Sequence, residues 1–231
     1  MLYGFANLDG TFTLSLVMPH EGALSNATIT TRQDLHQLFV THFPDVLPFL
    51  EAVIEDYFTK PFEWLVTIKC FPWVYRDRIA LIGDASHPIF PFYGQGVNAG
   101  FEDCAVLMAA LKKHGGDWCT ALREYENQRK PNTDAIADLC FDHFIELMER
   151  VRDPNFQLRK KVEHIVEMVL SEHTSLYYNI SFSTMPYAEA VALEQKHRRV
   201  IDQLLQVKDI ESKLSDSNGR QWIKEMFLRG A

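Results

Sequence analysis

One stretch of the chain concentrates residue types that bind small molecules: Gly83-Asp84, then Pro91-Phe92-Tyr93-Gly94-Gln95-Gly96-Val97-Asn98. Glycines at 94 and 96 carry no side chain, so a flat ligand could approach the backbone closely. A helix starting here would offer free N–H groups and partial positive charge to a ring that gains negative charge. Asp84 would accept hydrogen bonds from sugar-like hydroxyls. Asp84, Ser86 and His87 are also the residue types of a hydrolytic triad. Three side chains so close in sequence rarely converge on one atom, and no G-x-S-x-G elbow is present. His143 and Glu146 have the spacing of helical metal ligands, with Glu163-His164-x-x-Glu167 as a rough echo. A di-metal bundle needs more inward carboxylates, so solvated or pocket-facing helix positions are the better reading.

The elements that would hold these residues follow from pattern. Ile79-Ala80-Leu81-Ile82 is an apolar run ended by Gly83, which predicts a strand buried on both faces. Pro88, Pro91, Gly94 and Gly96 disfavour regular structure after it. Val97, Phe101, Cys104, Met108 and Leu111 recur at spacings of four and three, predicting a helix with those residues inward. Glu102 and Asp103 near its start suit the helix dipole. Gly115-Gly116 ends it.

Upstream, Asn7-Leu8-Asp9-Gly10 is a hairpin signal joining Leu2–Ala6 to an alternating strand with Phe12, Leu14, Leu16 and Met18 inward. Thr31-Arg32-Gln33-Asp34 resembles a capping box for a helix that stops before Pro44. Asp45 predicts a second cap, with Leu47, Leu50, Ile54 and Phe58 inside, and Trp64–Cys70 predicts another strand. Downstream, helices are predicted over Trp118–Arg129, stopped by Pro131, then Ala135–Val151, Phe156–Leu170 and Tyr187–Val207.

The 231 residues are 47% hydrophobic, enough for a substantial core. A net charge of −8 argues against a general nucleic-acid binder. It also makes Lys196-His197-Arg198-Arg199 a solvated helix face. Four scattered cysteines (Cys70, Cys104, Cys119, Cys140) suit a reducing, cytoplasmic compartment. No apolar run reaches membrane-spanning length and no secretory signal or C-terminal anchor is evident.

Gly83-Asp84 with Pro91-x-x-Gly94-Gln95-Gly96-x-Asn98 resembles the second flavin-binding motif of the single-component FAD-dependent aromatic hydroxylases. The resemblance is greatest to the kynurenine-hydroxylating branch. It continues through Arg129-Lys130-Pro131, Asp134–Asp138, Phe144-Ile145-Glu146, Leu158–Lys161 and Pro186-Tyr187-x-Glu189-Ala190. It implies that Asp84 binds the flavin ribityl chain and that the Gly96-Val97-Asn98 backbone faces the pyrimidine edge of the ring. It implies FAD as cofactor, NADPH as cosubstrate and oxygen transfer to a small aromatic amino acid through a flavin hydroperoxide. It also raises Tyr177, otherwise plain core with Tyr178 and Phe182, to a substrate-binding position. Where the family carries a helix asparagine, just before Phe144, this chain has His143.

The family's N-terminal G-x-G-x-x-G, which cradles the pyrophosphate, does not occur in these residues, nor does its middle Asp-Gly motif. The expectation is therefore an α+β chain, the C-terminal portion of an α/β flavin hydroxylase. Residues 1–75 would be part of a substrate-covering sheet, 76–130 the second half of the FAD-binding domain, and 131–231 a helical region. Two classes of function stay open: an enzyme completed by an N-terminal half, and a non-catalytic remnant or interaction module. Within the enzyme class, a different aromatic hydroxylase is the alternative.

Overall fold

A computed structural model describes residues 1–169, 174–215 and 217–230. It is an α+β structure, mostly helical with two small antiparallel sheets, and divides into compact units Met1–Trp64 and Leu65–Ala231.

In the first unit, strands β1 (Leu2–Ala6) and β2 (Phe12–Leu16) form the predicted hairpin, with Gly4 opposite Leu14. Gly10 sits at φ +84°, a conformation that favours glycine, which is why the Asp9-Gly10 turn closes. The strand does not bury one clean face: Phe12 is exposed, while Leu14, Leu16 and Met18 are half-buried. Helix α1 (Arg32–His42) starts at the expected capping box. The Thr31 hydroxyl accepts from Asp34 N–H at 3.2 Å, and the Asp34 carboxylate accepts from Thr31 N–H at 2.8 Å. It buries Leu35, Leu38 and Phe39 beside Ile29, Leu50 and Ile54. The second predicted helix is split into a 3-10 segment, Leu47–Ala52, and α2 (Ile54–Thr59), and neither uses Asp45 as a cap. Val46 holds the first N-cap position, with Pro48 in the opening turn. Phe58 is partly exposed.

In the second unit, residues 65–70 form no strand, and Leu65, Val66 and Ile68 are exposed. Their composition is that of a strand, yet one ladder-type bond is made among the described residues, from Ile68 N–H to Pro88 O at 3.1 Å. Strand propensity without a partner edge leaves an extended segment. Strands β3 (Val74–Tyr75) and β4 (Ile79–Ala80) pair antiparallel around a tight loop, with Arg76 and Asp77 both at positive φ. The Ile79–Ile82 run is thus a two-residue strand and an extension, with Ile79 exposed rather than buried on both faces.

Helix α3 (Gly96–Lys113) begins and ends as predicted, but of the five residues expected inward only Leu111 is buried. Ala99, Asp103, Leu107, Ala110 and Leu111 are buried; Val97, Phe101, Cys104 and Met108 face solvent. The buried face packs with Trp73, Ala121, Leu122 and Tyr125. Helix α4 (Trp118–Ile145) runs straight past Pro131 instead of stopping there. Pro131 lies on the exposed side. Beside it Asn132 Nδ2 donates to Gln128 O at 2.7 Å, and Thr133 Oγ1 to Lys130 O at 3.2 Å. Buried Arg129, Thr133, Ile136 and Ala137 hold both sides of the proline in place, which outweighs its local cost. A π-helical turn, Glu146–Arg150, follows.

Helices α5 (Pro154–Val169) and α7 (Tyr187–Leu205) match expected segments, while α6 (Leu176–Phe182), α8 (Ile210–Ser215) and α9 (Ser217–Gly230) had no counterpart in the sequence pattern. Leu170, the expected end of α5, lies outside the described residues. Val162, Val166, Val200, Ile201, Leu204, Ile210 and Ile223 form one core cluster across these helices.

Candidate functional site

The Gly83-Asp84 turn is built on backbone geometry. Gly83 sits at φ +61°, and its carbonyl accepts from Ser86 N–H (2.9 Å), His87 N–H (3.0 Å) and the Ser86 hydroxyl (2.9 Å). These bonds consume Ser86 in structure: it is fully buried, and His87 is paired elsewhere, so no triad forms. Asp84 is exposed, as is Ala85, and makes no hydrogen bond or ion pair among the described residues.

The second half of the motif is the helix start. A 3-10 turn, Pro91–Tyr93, leads to Gly94 at φ +65°, and α3 begins at Gly96. Gln95, 5% exposed, locks this turn. Its Oε1 accepts from Asn98 Nδ2 at 3.0 Å and from the Tyr187 hydroxyl at 3.3 Å. Burial pushes that hydroxyl up to about 12, so it remains a donor. No side chain caps α3, so the N–H groups of Gly96, Val97 and Asn98 lack intrahelical partners. An open carboxylate, a side-chain-free turn and an uncapped helix start are donor and acceptor sets that fit a flavin: Asp84 for the ribityl hydroxyls, the helix start for the pyrimidine edge.

Sequence reasoning missed what fixes the two halves to each other. Asp103, expected near the helix start as a charge that suits the dipole, is fully buried. Its carboxylate accepts from Gly83 N–H (2.9 Å) and Arg129 Nε (2.7 Å), and lies 2.6 Å from His87 Nε2. Arg129 also donates to Glu102 at 2.6 Å and to Ala99 O at 3.1 Å. Burial alone would raise the Asp103 pKa. The bonds from His87, Arg129 and Gly83 outweigh that and hold the carboxyl below the ordinary range.

A carboxyl with a depressed folded pKa contributes its full stabilisation above its unfolded pKa, about 4, and loses it as pH falls through the lower folded value. Urea unfolding followed from pH 7 to pH 2 is therefore expected to show acid destabilisation starting near pH 4. Asp103→Asn is expected to be less stable at pH 7 and to have a shallower acid slope. Parallel slopes in parent and variant would remove Asp103 from the account.

The expected substrate residues come together in a second place. His143 of α4 and Tyr177 of α6 line one cavity of about 380 Å³ with Tyr93, from the turn before Gly94. The Tyr93 ring lies 4.8 Å from that of His143 and 6.1 Å from that of Tyr177, centroid to centroid. His143 Nδ1 approaches Glu146 at 3.4 Å, and Lys160 pairs with Glu163 at 3.0 Å. Burial, then the nearby Glu163 charge, raises the Glu194 pKa. Tyr177, Tyr178 and Phe182 are exposed on α6 rather than core. No group of three or more His, Cys, Asp or Glu side chains that could hold a metal ion occurs among the described residues. Of the basic cluster, Lys196, Arg198 and Arg199 are exposed and His197 is buried.

Residues 69–139 match the FAD binding domain family. The chain is 43% identical over 213 residues to the kynurenine 3-monooxygenase of Flavobacterium psychrophilum, covering 92% of this chain and 48% of that protein. To the Christiangramia forsetii kynurenine 3-monooxygenase it is 41% identical over 230 residues, 99% of this chain and 52% of the relative. The Dictyostelium discoideum kynurenine 3-monooxygenase is 36% identical over 222 residues, 90% and 48% respectively. The chain thus resembles kynurenine 3-monooxygenases across nearly its whole length, while spanning about half the length of these relatives.

Proposed function

We propose that this chain is the C-terminal portion of an FAD- and NADPH-dependent aromatic hydroxylase of the kynurenine 3-monooxygenase type. Its substrate would be an aromatic amino acid, L-kynurenine by preference, hydroxylated ortho to the ring amino group to give 3-hydroxykynurenine. The observation that carries this reading is a continuity. The glycine turn that fits a flavin also contributes Tyr93 to the cavity holding His143 and Tyr177. Bound FAD, reduced by NADPH, would supply the oxygen-transfer chemistry.

The residues of this chain have binding and positioning tasks. Asp84 accepts the ribityl hydroxyls. The backbone N–H groups of Gly96, Val97 and Asn98 stabilise negative charge on the ring, Pro91 and Gly94 shape the turn, and Gln95 holds it closed. Phe92, stacked on Phe144 with centroids 5.0 Å apart, and Phe90, edge-on to Phe144, form an aromatic cluster beside the turn. His143 and Tyr177 bind the amino-acid end of the substrate. An N-terminal half supplies the pyrophosphate cradle and the remaining grip on NADPH and substrate. Four free thiols suit a reducing cytoplasm. One observation favours a different aromatic carboxylate as substrate: His143 presents an imidazole where the resemblance expects an amide.

The test complements this chain with the part of the Flavobacterium psychrophilum enzyme that it does not match, and follows kynurenine-stimulated NADPH oxidation. Tyr177→Phe loses one hydrogen bond, worth about 0.5–1.5 kcal/mol, and is expected to raise the kynurenine KM about two- to tenfold. His143→Asn is expected to lower it. If neither substitution moves KM, these side chains do not hold the substrate.

A further inference from the structure

The cavity that holds His143 and Tyr177 has two unlike sets of lining groups. One is the phenol and imidazole set, Tyr93, His143 and Tyr177. The other is charged and comes from α5 (Arg159, Lys160, Glu163) and α7 (Glu194, Arg198). Several of these charges are spent within the chain. Glu146 takes His143 at 3.4 Å and Lys160 at 4.0 Å, and Lys160 also pairs with Glu163 at 3.0 Å. Two groups are not spent. Glu194 is half-buried and makes no hydrogen bond or ion pair among the described residues. Arg198 stands one turn further along α7, the spacing at which Glu and Arg commonly pair, yet the two form no ion pair. Burial and the Glu163 charge make an ionised Glu194 costly, and Arg198, Lys160 and Arg159 offset only part of that cost. The second group is Arg159. Its Nη2 pairs with Asp202 of α7, while Nη1 is buried without a partner among the described residues. A buried N–H left unmade costs free energy that a ligand oxygen would recover. An acid short of a cation and a guanidinium short of an acceptor, lining one cavity, are complementary to a zwitterion.

We propose that Glu194 and Arg159 are specificity-determining residues that clamp a free α-amino acid: the Glu194 carboxylate accepts from the ligand's α-ammonium, and Arg159 Nη1 donates to its α-carboxylate. The inference rests on the kynurenine-type reading of this cavity and adds two residues that set its substrate class. An aromatic acid without the amine leaves Glu194 unsatisfied, and an aromatic amine without the acid leaves Arg159 unsatisfied. Each is disfavoured because a buried polar group then stays unpaired. Tyr177 and His143 hydrogen-bond the same end of the ligand as neutral groups, and the pair on α5 and α7 supplies the charges.

All of these lining residues belong to this chain, so the clamp is tested on the full 231-residue chain without flavin. It is titrated by calorimetry with L-kynurenine, with deaminated kynurenine (the α-amine replaced by hydrogen) and with decarboxylated kynurenine. The parent is expected to bind L-kynurenine about tenfold more tightly than either analogue, the low end of what a charged hydrogen bond contributes. Glu194→Gln is expected to lose about tenfold for L-kynurenine and nothing for the deaminated ligand. Arg159→Gln is expected to lose about tenfold for L-kynurenine and nothing for the decarboxylated one. This crossed pattern separates recognition from a merely structural role, which would weaken all three ligands alike. The proposal is overturned if L-kynurenine at millimolar concentration does not bind the parent, or if the parent binds either analogue as well. It is equally overturned if a variant weakens the three ligands equally or leaves L-kynurenine unaffected. The ligand comparison on the parent decides the matter even where a variant fails to fold. Turnover is read separately, as kynurenine-stimulated NADPH oxidation by the complemented chain. The crossed pattern without turnover overturns the hydroxylase reading and leaves the clamp standing; turnover without the pattern overturns the clamp alone.

Discussion

Arg129→Leu is expected to cost about 3–5 kcal/mol of stability, the largest single-residue effect in this chain. The guanidinium is 4% exposed and makes three bonds at once: to Asp103, to Glu102 and to the Ala99 carbonyl. Removing it leaves a fully buried carboxylate held only by Gly83 N–H and His87. The cost is the uncompensated charge rather than the value of the pair, since a buried pair gains little net over well-packed apolar residues. Arg129→Lys keeps the charge but loses the fork that reaches three acceptors, and is expected to fall between leucine and parent. Arg123 is the internal control. It bridges Asp77 at 3.1 Å with most of its side chain in water, so Arg123→Ala should leave stability nearly unchanged. Urea denaturation of the three variants separates these cases. An Arg129→Leu cost as small as that of Arg123→Ala would mean that the Asp103 network does not hold the two motif halves together.

The local signals in the sequence were legible because each is a short-range chemical device. The Thr31–Asp34 capping box, the Asp9-Gly10 turn and the glycine-rich start of α3 all involve groups within a few residues of one another. Three features were not legible. The direction of α3 was misread because periodicity marks apolar rows, and α3 has two; only the packing of Trp73 and Tyr125 decides which one is inside. Helix α4 continues through Pro131 because burial on either side, at Arg129 and Thr133, outweighs a local preference. The charged core of the site joins residues 26 apart, Asp103 and Arg129, and nothing in either local sequence marks them as partners. Of the candidate residues, Gly83 and Asp84 sit in one turn, while Pro91, Gly94, Gln95, Gly96, Val97 and Asn98 occupy a second turn and the start of α3. His143 and Tyr177, from different helices, line one cavity. Glu102 and Asp103 carried a signal that was read too locally: two adjacent carboxylates on a helix, one of them on its apolar face, call for a buried cation.

Asp84→Ala is expected to weaken flavin binding by about ten- to a hundredfold or more. Each charge-assisted hydrogen bond to a ribityl hydroxyl is worth roughly 1.5–3 kcal/mol. The effect on folding should be small, because the carboxylate is exposed and makes no hydrogen bond among the described residues. Asp84→Asn keeps an acceptor without the charge and is expected to lie between the two. This separates Asp84 from Asp103, whose loss should reach flavin binding only by loosening the Gly83 turn and should lower stability at the same time.

The central claim is that this chain carries the ribityl and ring-facing part of an FAD site that a second half completes. A flavin titration followed by visible absorbance and fluorescence quenching tests it most directly. It is run on the isolated chain, on the chain complemented with the unmatched part of the Flavobacterium psychrophilum enzyme, and on the same complex bearing Asp84→Ala. The account predicts no tight FAD binding by the isolated chain, one FAD bound per complex, and binding weakened at least tenfold by Asp84→Ala. A complemented complex that binds FAD equally well with and without the Asp84 carboxylate would contradict it.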